Sequence, residues 1–136
     1  MSEAKRQLVR NWLTTAKHDL GTARKLSVDP DPYLDTAIFH CQQTAEKAVK
    51  GFLVYSDQPF EKTHDIRLLV MLAATHENQF SVWLDVGQRL TPYAIRFRYP
   101  AMASEPTKTE FDQALKDADA IYNFVLSLLP IEMHPS

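Results

Sequence analysis

The sequence has little glycine, one cysteine and no long apolar run, and each shortage excludes a class of protein. Only 3 glycines occur in 136 residues, which argues against a sheet protein because strands need frequent turn residues. The single cysteine, Cys41, permits no internal disulfide and is typical of a reducing cytoplasm. No stretch is apolar enough to span a bilayer, and the charged N-terminus lacks the apolar core of a signal peptide. We therefore predict a cytoplasmic protein with no membrane contact.

The chain also lacks the motifs of several common chemistries. It contains no glycine-rich phosphate loop, no Gly-x-Ser-x-Gly elbow and no metal-binding spacing of cysteine and histidine. His40 and Cys41 are adjacent, so on a helix they point about 100° apart and suit one metal ion poorly. Cys41 falls on an apolar stripe, where a thiol is usually a small buried hydrophobe. We predict no metal and no cofactor, and the net charge of −2 confines any anion site to a local patch.

Hydrophobic periodicity predicts an all-α protein, an up-and-down helical bundle of about five helices. The content of 45% hydrophobic and 24% charged residues is that of a globular protein. We predict one domain over residues 1–136, with its core at about 8–129. The predicted helices cover residues 3–26, 33–55, 63–76, 79–97 with a break at Thr91-Pro92, and 107–129. Residues 101–106 are predicted to be a loop and residues 131–136 a frayed tail.

The second predicted helix carries a polar row beside its apolar stripe. Residues spaced by three, four and three positions share this face: His40, Gln43, Lys47 and Lys50. A row of donors and cations beside the core is suited to an anionic ligand. Part of that charge has a local partner, since Glu46 and Lys50 at i,i+4 form a pair worth roughly 0.3 kcal/mol. We predict that the function lies along this face.

Three further positions carry candidate side chains. His64, at the start of the third helix, is either an exposed loop histidine or a ligand contact beside the lysines. Arg96 and Arg98 alternate with aromatic residues, a combination that suits bases and phosphates. It suits equally an ordinary helix end, where arginines bond the last carbonyls. Asp19 flanks the first apolar stripe, where it either pairs with a nearby cation or orients a cation of the second helix.

Four blocks of the sequence, taken in order, resemble the HEPN domain family. They are Trp12, Ala16 and Asp19-Leu20, then residues 39–53, then residues 62–66, and last Arg98-Tyr99-Pro100. The resemblance spans about residues 8–129. It implies an all-α bundle, commonly dimeric, with expected nucleotide binding. It also implies a minimal nucleotidyltransferase as protein partner, because members are often encoded beside one as a toxin–antitoxin pair.

Many members of that family are metal-independent RNases that carry an arginine followed four to six residues later by a histidine. This chain departs from that pattern. No arginine is followed by histidine at that distance, and Arg67 and His76 are nine residues apart. The likeness is to the subgroup with the Arg-Tyr-Pro motif.

Three hypotheses for the function follow. The first is a HEPN-like module that binds a nucleotide, RNA or a nucleotidyltransferase. In this module Tyr99 stacks on a base and Asp19 orients a cation of the second helix. Its anion site comprises Gln43, Lys47, Lys50, His64, Arg96 and Arg98. The second is a dimeric RNase toxin with His40 or His64 as general acid or base and Arg98 stabilising the phosphorane. The third is a purely structural homodimer with exposed aromatic residues between 93 and 99 as anchors.

Overall fold

The computed structural model describes residues 1–100 and 105–136 and shows an all-α protein. Five α-helices follow one another: α1 (Glu3–Leu26), α2 (Leu34–Tyr55), α3 (Ile66–Ala74), α4 (Leu84–Leu90) and α5 (Lys108–Leu128). Short 3₁₀ helices cover Asn78–Trp83, Thr91–Ala94 and Ile131–Met133. The described residues contain no strand, and none of their helices is long and apolar enough to cross a membrane. The predicted helical bundle is confirmed.

Helix α2 lies at the centre of the bundle and contacts each of the other four helices. Residues 48–53 are all buried, so this half of α2 has no solvated face. Gly51 permits a close approach of α1, because an added Cβ would collide with the Leu13 side chain and lie 3.2 Å from the Trp12 Cβ. The buried stripe of α1 is Val9, Leu13, Ala16, Asp19, Leu20 and Ala23. Leu8, one residue before Val9, lies outside this stripe and is 48% exposed.

Helix α3 begins at Ile66, three residues later than the predicted range of residues 63–76. Asp65 is the N-cap, and its carboxylate accepts a hydrogen bond from the Leu68 backbone N–H. The Thr63 hydroxyl instead accepts from the Asp65 backbone N–H at 3.1 Å. Both residues favour caps, and the aspartate lies next to the apolar stripe of α3.

The continuous helix predicted over residues 79–97 is wrong. This segment forms a 3₁₀ helix, the short α4 and a second 3₁₀ helix, because tertiary contacts pull it against the start of α3. At the predicted break, the Thr91 hydroxyl donates to the Gly87 carbonyl at 2.7 Å and accepts from the Ile66 N–H at 3.0 Å, which ties this segment to α3. Gly87 packs on the backbone of Arg67, where an added Cβ would lie 3.0 Å from the Cα. Pro92 then falls in the first turn of the second 3₁₀ helix.

The C-terminal tail is packed, which corrects the prediction of a frayed end. Met133 is only 2% exposed, and the Arg10 side chain donates to the Glu132 carbonyl at 3.0 Å. The tail therefore packs along α1, where Lys17 also donates to the Ser136 carbonyl at 3.2 Å. Most of the loop predicted over residues 101–106 lies outside the described residues.

The Gly51 contact yields a stability prediction. Gly51→Ala is expected to destabilise the protein, since overpacking costs about 1–3 kcal/mol and exceeds the roughly 1 kcal/mol gained in helix propensity. Gly21→Ala is the matched control on α1, because nothing lies within 4 Å of its added Cβ, and it should be neutral or stabilising. Urea denaturation of both variants measures the difference. Equal stability of the two variants would contradict the close packing of α1 on α2.

Candidate functional site

The Asp19 carboxylate joins two residues of the predicted polar row. Its Oδ1 accepts from His40 Nδ1 at 2.8 Å and its Oδ2 accepts from Lys47 Nζ at 2.8 Å. His40 and Lys47 are seven residues apart and therefore share one face of α2, two turns apart. Asp19 is only 8% exposed, so its charge is balanced inside the α1–α2 interface. The sequence left open whether Asp19 pairs with a nearby cation or orients one on α2, and in the structure it contacts Lys47 and His40, both on α2.

Arg98 and His40 line one cleft of about 320 Å³. The guanidinium carbon of Arg98 lies 4.1 Å from the centre of the Phe39 ring, a close cation–π stack. The Phe39 ring meets the His40 ring edge-on at 5.4 Å. The complete lining comprises Asp35, Thr36, Phe39, His40, Phe97 and Arg98. Because Phe97 is buried, the chain is anchored beside Arg98, and the cleft presents a cation, an imidazole and aromatic surface.

A second polar cluster surrounds Glu46, which is 4% exposed. Its carboxylate accepts from Lys50 Nζ at 3.0 Å, from His64 Nδ1 at 2.7 Å and from Gln42 Nε2 at 3.1 Å. Burial raises the pKa of Glu46, but the hydrogen bonds from His64, Lys50 and Gln42 outweigh it and hold the pKa below the ordinary value. This cluster ties the loop before α3 to α2.

Lys50 is therefore part of the interior rather than an open cation. Its side chain is 9% exposed, and its ammonium lies 5.8 Å from the Trp12 ring centre and 5.7 Å from that of Phe60. The positive charge is balanced by Glu46 and covered by two aromatic faces. The sequence placed Lys50 in the anion site, whereas its contacts leave no open face for a ligand.

The other predicted residues are distributed over separate surroundings. Arg96 pairs with Glu110 of α5 at 3.3 Å and lies over the Phe97 ring, so it is not part of the cleft lining. Gln43 donates to the Gln42 side chain at 2.7 Å. Tyr99 is 55% exposed. The structure thus joins Asp19, His40 and Lys47, adds Arg98 at the cleft that His40 lines, and places the remaining candidates elsewhere.

Several residues of these clusters were missed from the sequence. Phe39 had no polar group to mark it, and its role as the surface under Arg98 depends on a contact between distant segments. Asp35 and Thr36 lie in the first turn of the predicted second helix, where no pattern marks them as site residues. Gln42, which is fully buried and also donates to the His64 carbonyl at 2.9 Å, had a usable signal in its i,i+4 spacing to Glu46.

A larger pocket of about 450 Å³ lies apart from these polar clusters. It is lined by Pro59, Phe60, Glu61, Thr63, Leu68, Leu69 and Leu72. None of the predicted site residues is among them, and the lining is mainly apolar. We assign the candidate site to the smaller Arg98 cleft, because it combines charge, aromatic surface and a histidine. In the described part of the chain, no group of three or more histidine, cysteine or acidic side chains is placed to hold a metal.

The fold and the site together define the class of protein: an all-α bundle with a cation-bearing cleft beside its central helix. A family model described as the HEPN domain matches residues 9–128. The chain belongs to the HEPN domain family.

Two solved structures are similar to this chain. One is TT1696 from Thermus thermophilus, 32% identical, with 89% of this chain and 98% of that chain covered and a TM-score of 0.74. The other is ST0689, an archaeal HEPN homologue, 28% identical, with 88% and 96% covered and a TM-score of 0.71. A search of curated proteins finds no match.

The Glu46 cluster makes the folding stability depend on pH in the acid range. Because the pKa of Glu46 is lowered from 4.5 in the folded protein, the unfolded chain binds the proton first as the pH falls. The stabilisation is fully present above about pH 4.5 and is lost as the pH falls through the lowered folded pKa. We expect Glu46→Gln to cost about 1–3 kcal/mol at neutral pH and progressively less in acid.

Urea denaturation at a series of pH values measures this effect. Glu61→Gln is the control, because Glu61 is exposed, and it should follow the wild type throughout. If the difference in unfolding free energy between wild type and Glu46→Gln stays constant down to about pH 3, the linkage is ruled out.

Proposed function

We propose that the chain is a nucleotide- or RNA-binding HEPN module whose ligand lies in the Arg98 cleft. The observation that carries this proposal is the stack of Arg98 on Phe39 with His40 in the same cleft. A guanidinium can fork onto two phosphate oxygens, and an aromatic surface supports a base. Lys47, 22% exposed at its side chain, adds a cation on the same face of α2 as His40. Tyr99, next to Arg98 and exposed, is proposed to stack on a base.

Among the side chains of the cleft, Arg98 is expected to contribute most to the affinity for nucleotide or RNA. In calorimetric titrations with ATP, GTP, AMP and a short RNA, Arg98→Ala should weaken binding by about tenfold or more, the value of a charge-assisted hydrogen bond. Wild-type affinity should fall as salt is raised, because phosphate contacts release counterions.

Arg96→Ala is the matched control for this titration. It removes the same charge two residues away, but Arg96 is paired with Glu110 outside the cleft, so affinity should stay near that of the wild type. Absence of binding by every ligand in the panel, or an equal loss in both variants, would refute the proposed site.

A second function, protein association, is favoured by one apolar surface. Leu68 and Met71 on α3 are 41% and 49% exposed, and Leu68 borders the apolar pocket with Phe60 and Pro59. Contiguous exposed apolar surface is typical of interaction sites. We propose that it mediates a homodimer, as the family resemblance implies. The nucleotidyltransferase partner of a toxin–antitoxin pair is proposed as the alternative occupant.

Light scattering after size exclusion tests the homodimer. Wild type should have the mass of a dimer, and Leu68→Glu should have that of a monomer, since a buried unpaired carboxylate is strongly unfavourable. Val28→Glu is the control: Val28 is 60% exposed and lies in the turn between α1 and α2. A monomeric wild type, or a dimeric Leu68→Glu, would exclude this interface.

A further inference from the structure

A groove of about 410 Å³ lies between α1 and α5 and shares no lining residue with the Arg98 cleft. Residues at helical spacing line it from both sides, and the ones that matter here are Lys17, Gly21 and Arg24 on α1 and Asp119, Tyr122 and Leu126 on α5. We call it the α1–α5 groove. Its volume is that of a small-molecule site, and its lining mixes apolar surface with a few polar groups, as such sites do.

Gly21 keeps the α1–α5 groove open. A Cβ added at Gly21 would meet no heavy atom within 4 Å, whereas a Cβ added at Gly51 or Gly87 would press on a packed neighbour. Gly21 is therefore not needed for helix packing, and it leaves the space of a side chain beside Leu20 and Leu126, which line the same groove. An apolar ligand group placed there would be removed from water.

Tyr122 supplies the groove with a hydroxyl that has no partner. The residue is only 6% exposed, and burial alone, with no hydrogen bond, raises the pKa of its phenol. Among the residues that the structure describes, the one buried side-chain polar atom without a partner is Trp83 Nε1. The unpartnered Tyr122 hydroxyl is therefore reached by solvent, and Tyr122 lines the groove. The phenol stays protonated near neutral pH and can donate to a ligand.

Lys17 is the cation of the groove that a ligand can use. Its ammonium donates to the Ser136 carbonyl at 3.2 Å, a long bond to a neutral oxygen. Arg24, in contrast, is paired with Asp119 at 2.7 Å, so these two charges balance each other. The Ser136 contact also shows that an acyl oxygen fits beside the ammonium of Lys17.

A cation, a phenolic donor and an apolar floor together fit a carboxylate with an apolar body. We propose that the α1–α5 groove binds a small organic carboxylate, whose head group accepts from Lys17 and from the Tyr122 hydroxyl and whose body lies over Gly21. An ionised carboxylate bonds an ammonium more strongly than a neutral carbonyl does, so this ligand can displace Ser136. A phosphate dianion fits less well, because Arg24 is already paired. The proposal does not depend on ligand binding in the Arg98 cleft.

An NMR titration of the whole protein with hexanoate tests this binding at about pH 7.5, where a carboxylate is ionised. The Gly21 amide signal should shift saturably, while the signals of Gly51 and Gly87, which lie in packed helix contacts, should stay in place. Hexanamide has the same shape without the charge and should bind about tenfold or more weakly. Acetate lacks four methylenes and should also bind at least about tenfold more weakly.

Single substitutions test the two groups that hold the carboxylate. Lys17→Ala should weaken hexanoate binding about tenfold or more, and Tyr122→Phe, which keeps the ring, about three- to tenfold. Lys25→Ala is the matched control, because Lys25 is exposed on α1 outside the groove, and it should bind as wild type does. An unchanged affinity in Lys17→Ala or in Tyr122→Phe, or an equal loss in Lys25→Ala, would overturn the proposed head-group contacts.

Filling the groove tests the position of the ligand without changing any charge. Gly21→Leu should abolish hexanoate binding, read from the Leu126 methyl signals, and Gly21→Ala should weaken it less. Both variants should fold, since the added Cβ meets no atom and both residues are better helix formers than glycine.

Arg98→Ala should bind hexanoate as wild type does, which separates this inference from the proposed function. Undiminished binding by Gly21→Leu, or a loss in Arg98→Ala, would place hexanoate elsewhere and overturn the inference. Absence of a saturable Gly21 shift, equal shifts of all three glycines, or equal affinity for hexanoate, hexanamide and inorganic phosphate would overturn it as well. None of these results would change the prediction for nucleotides at Arg98.

Discussion

The buried carboxylate of Asp19 is the interaction on which the polar side of this fold depends. A carboxylate at 8% exposure is unfavourable unless its charge is balanced and its oxygens are bonded. His40 and Lys47 satisfy one oxygen each, and both lie on the face of α2 that packs against α1. The contact therefore fixes the register of the two helices together with the orientation of the imidazole at the cleft.

The same constraint decides how much of the polar row is open to a ligand. Glu46 lies near the buried end of α2 and binds Lys50 and His64, while Asp19 binds Lys47. The cations of the row are thus paired internally with these two carboxylates, and little of their charge is open to a ligand. The cation of the cleft comes from another segment, as Arg98 stacked on Phe39. In a chain with a net charge of −2, an anion site depends on such a local arrangement.

Membership of the HEPN family establishes the fold, while function depends on the site. The sequence has no arginine followed closely by a histidine. The tertiary structure nevertheless brings His40 and Arg98, 58 positions apart in the chain, to one cleft. Long-range packing here places a histidine and an arginine in the lining of one cleft, an arrangement that a search for a short motif misses.

The amino-acid sequence by itself determined the helical class, the bounds of α1, the start of α5 to within one residue and the face shared by His40 and Lys47. These features follow from local propensity and from the 3.6-residue period. Tertiary structure decided the division of residues 79–97, the packed tail and the burial of Lys50. It also decided which arginine reaches the cleft, since Arg96 pairs with Glu110 whereas Arg98 stacks on Phe39. Such partners lie on distant segments, and periodicity carries no information about contacts between them.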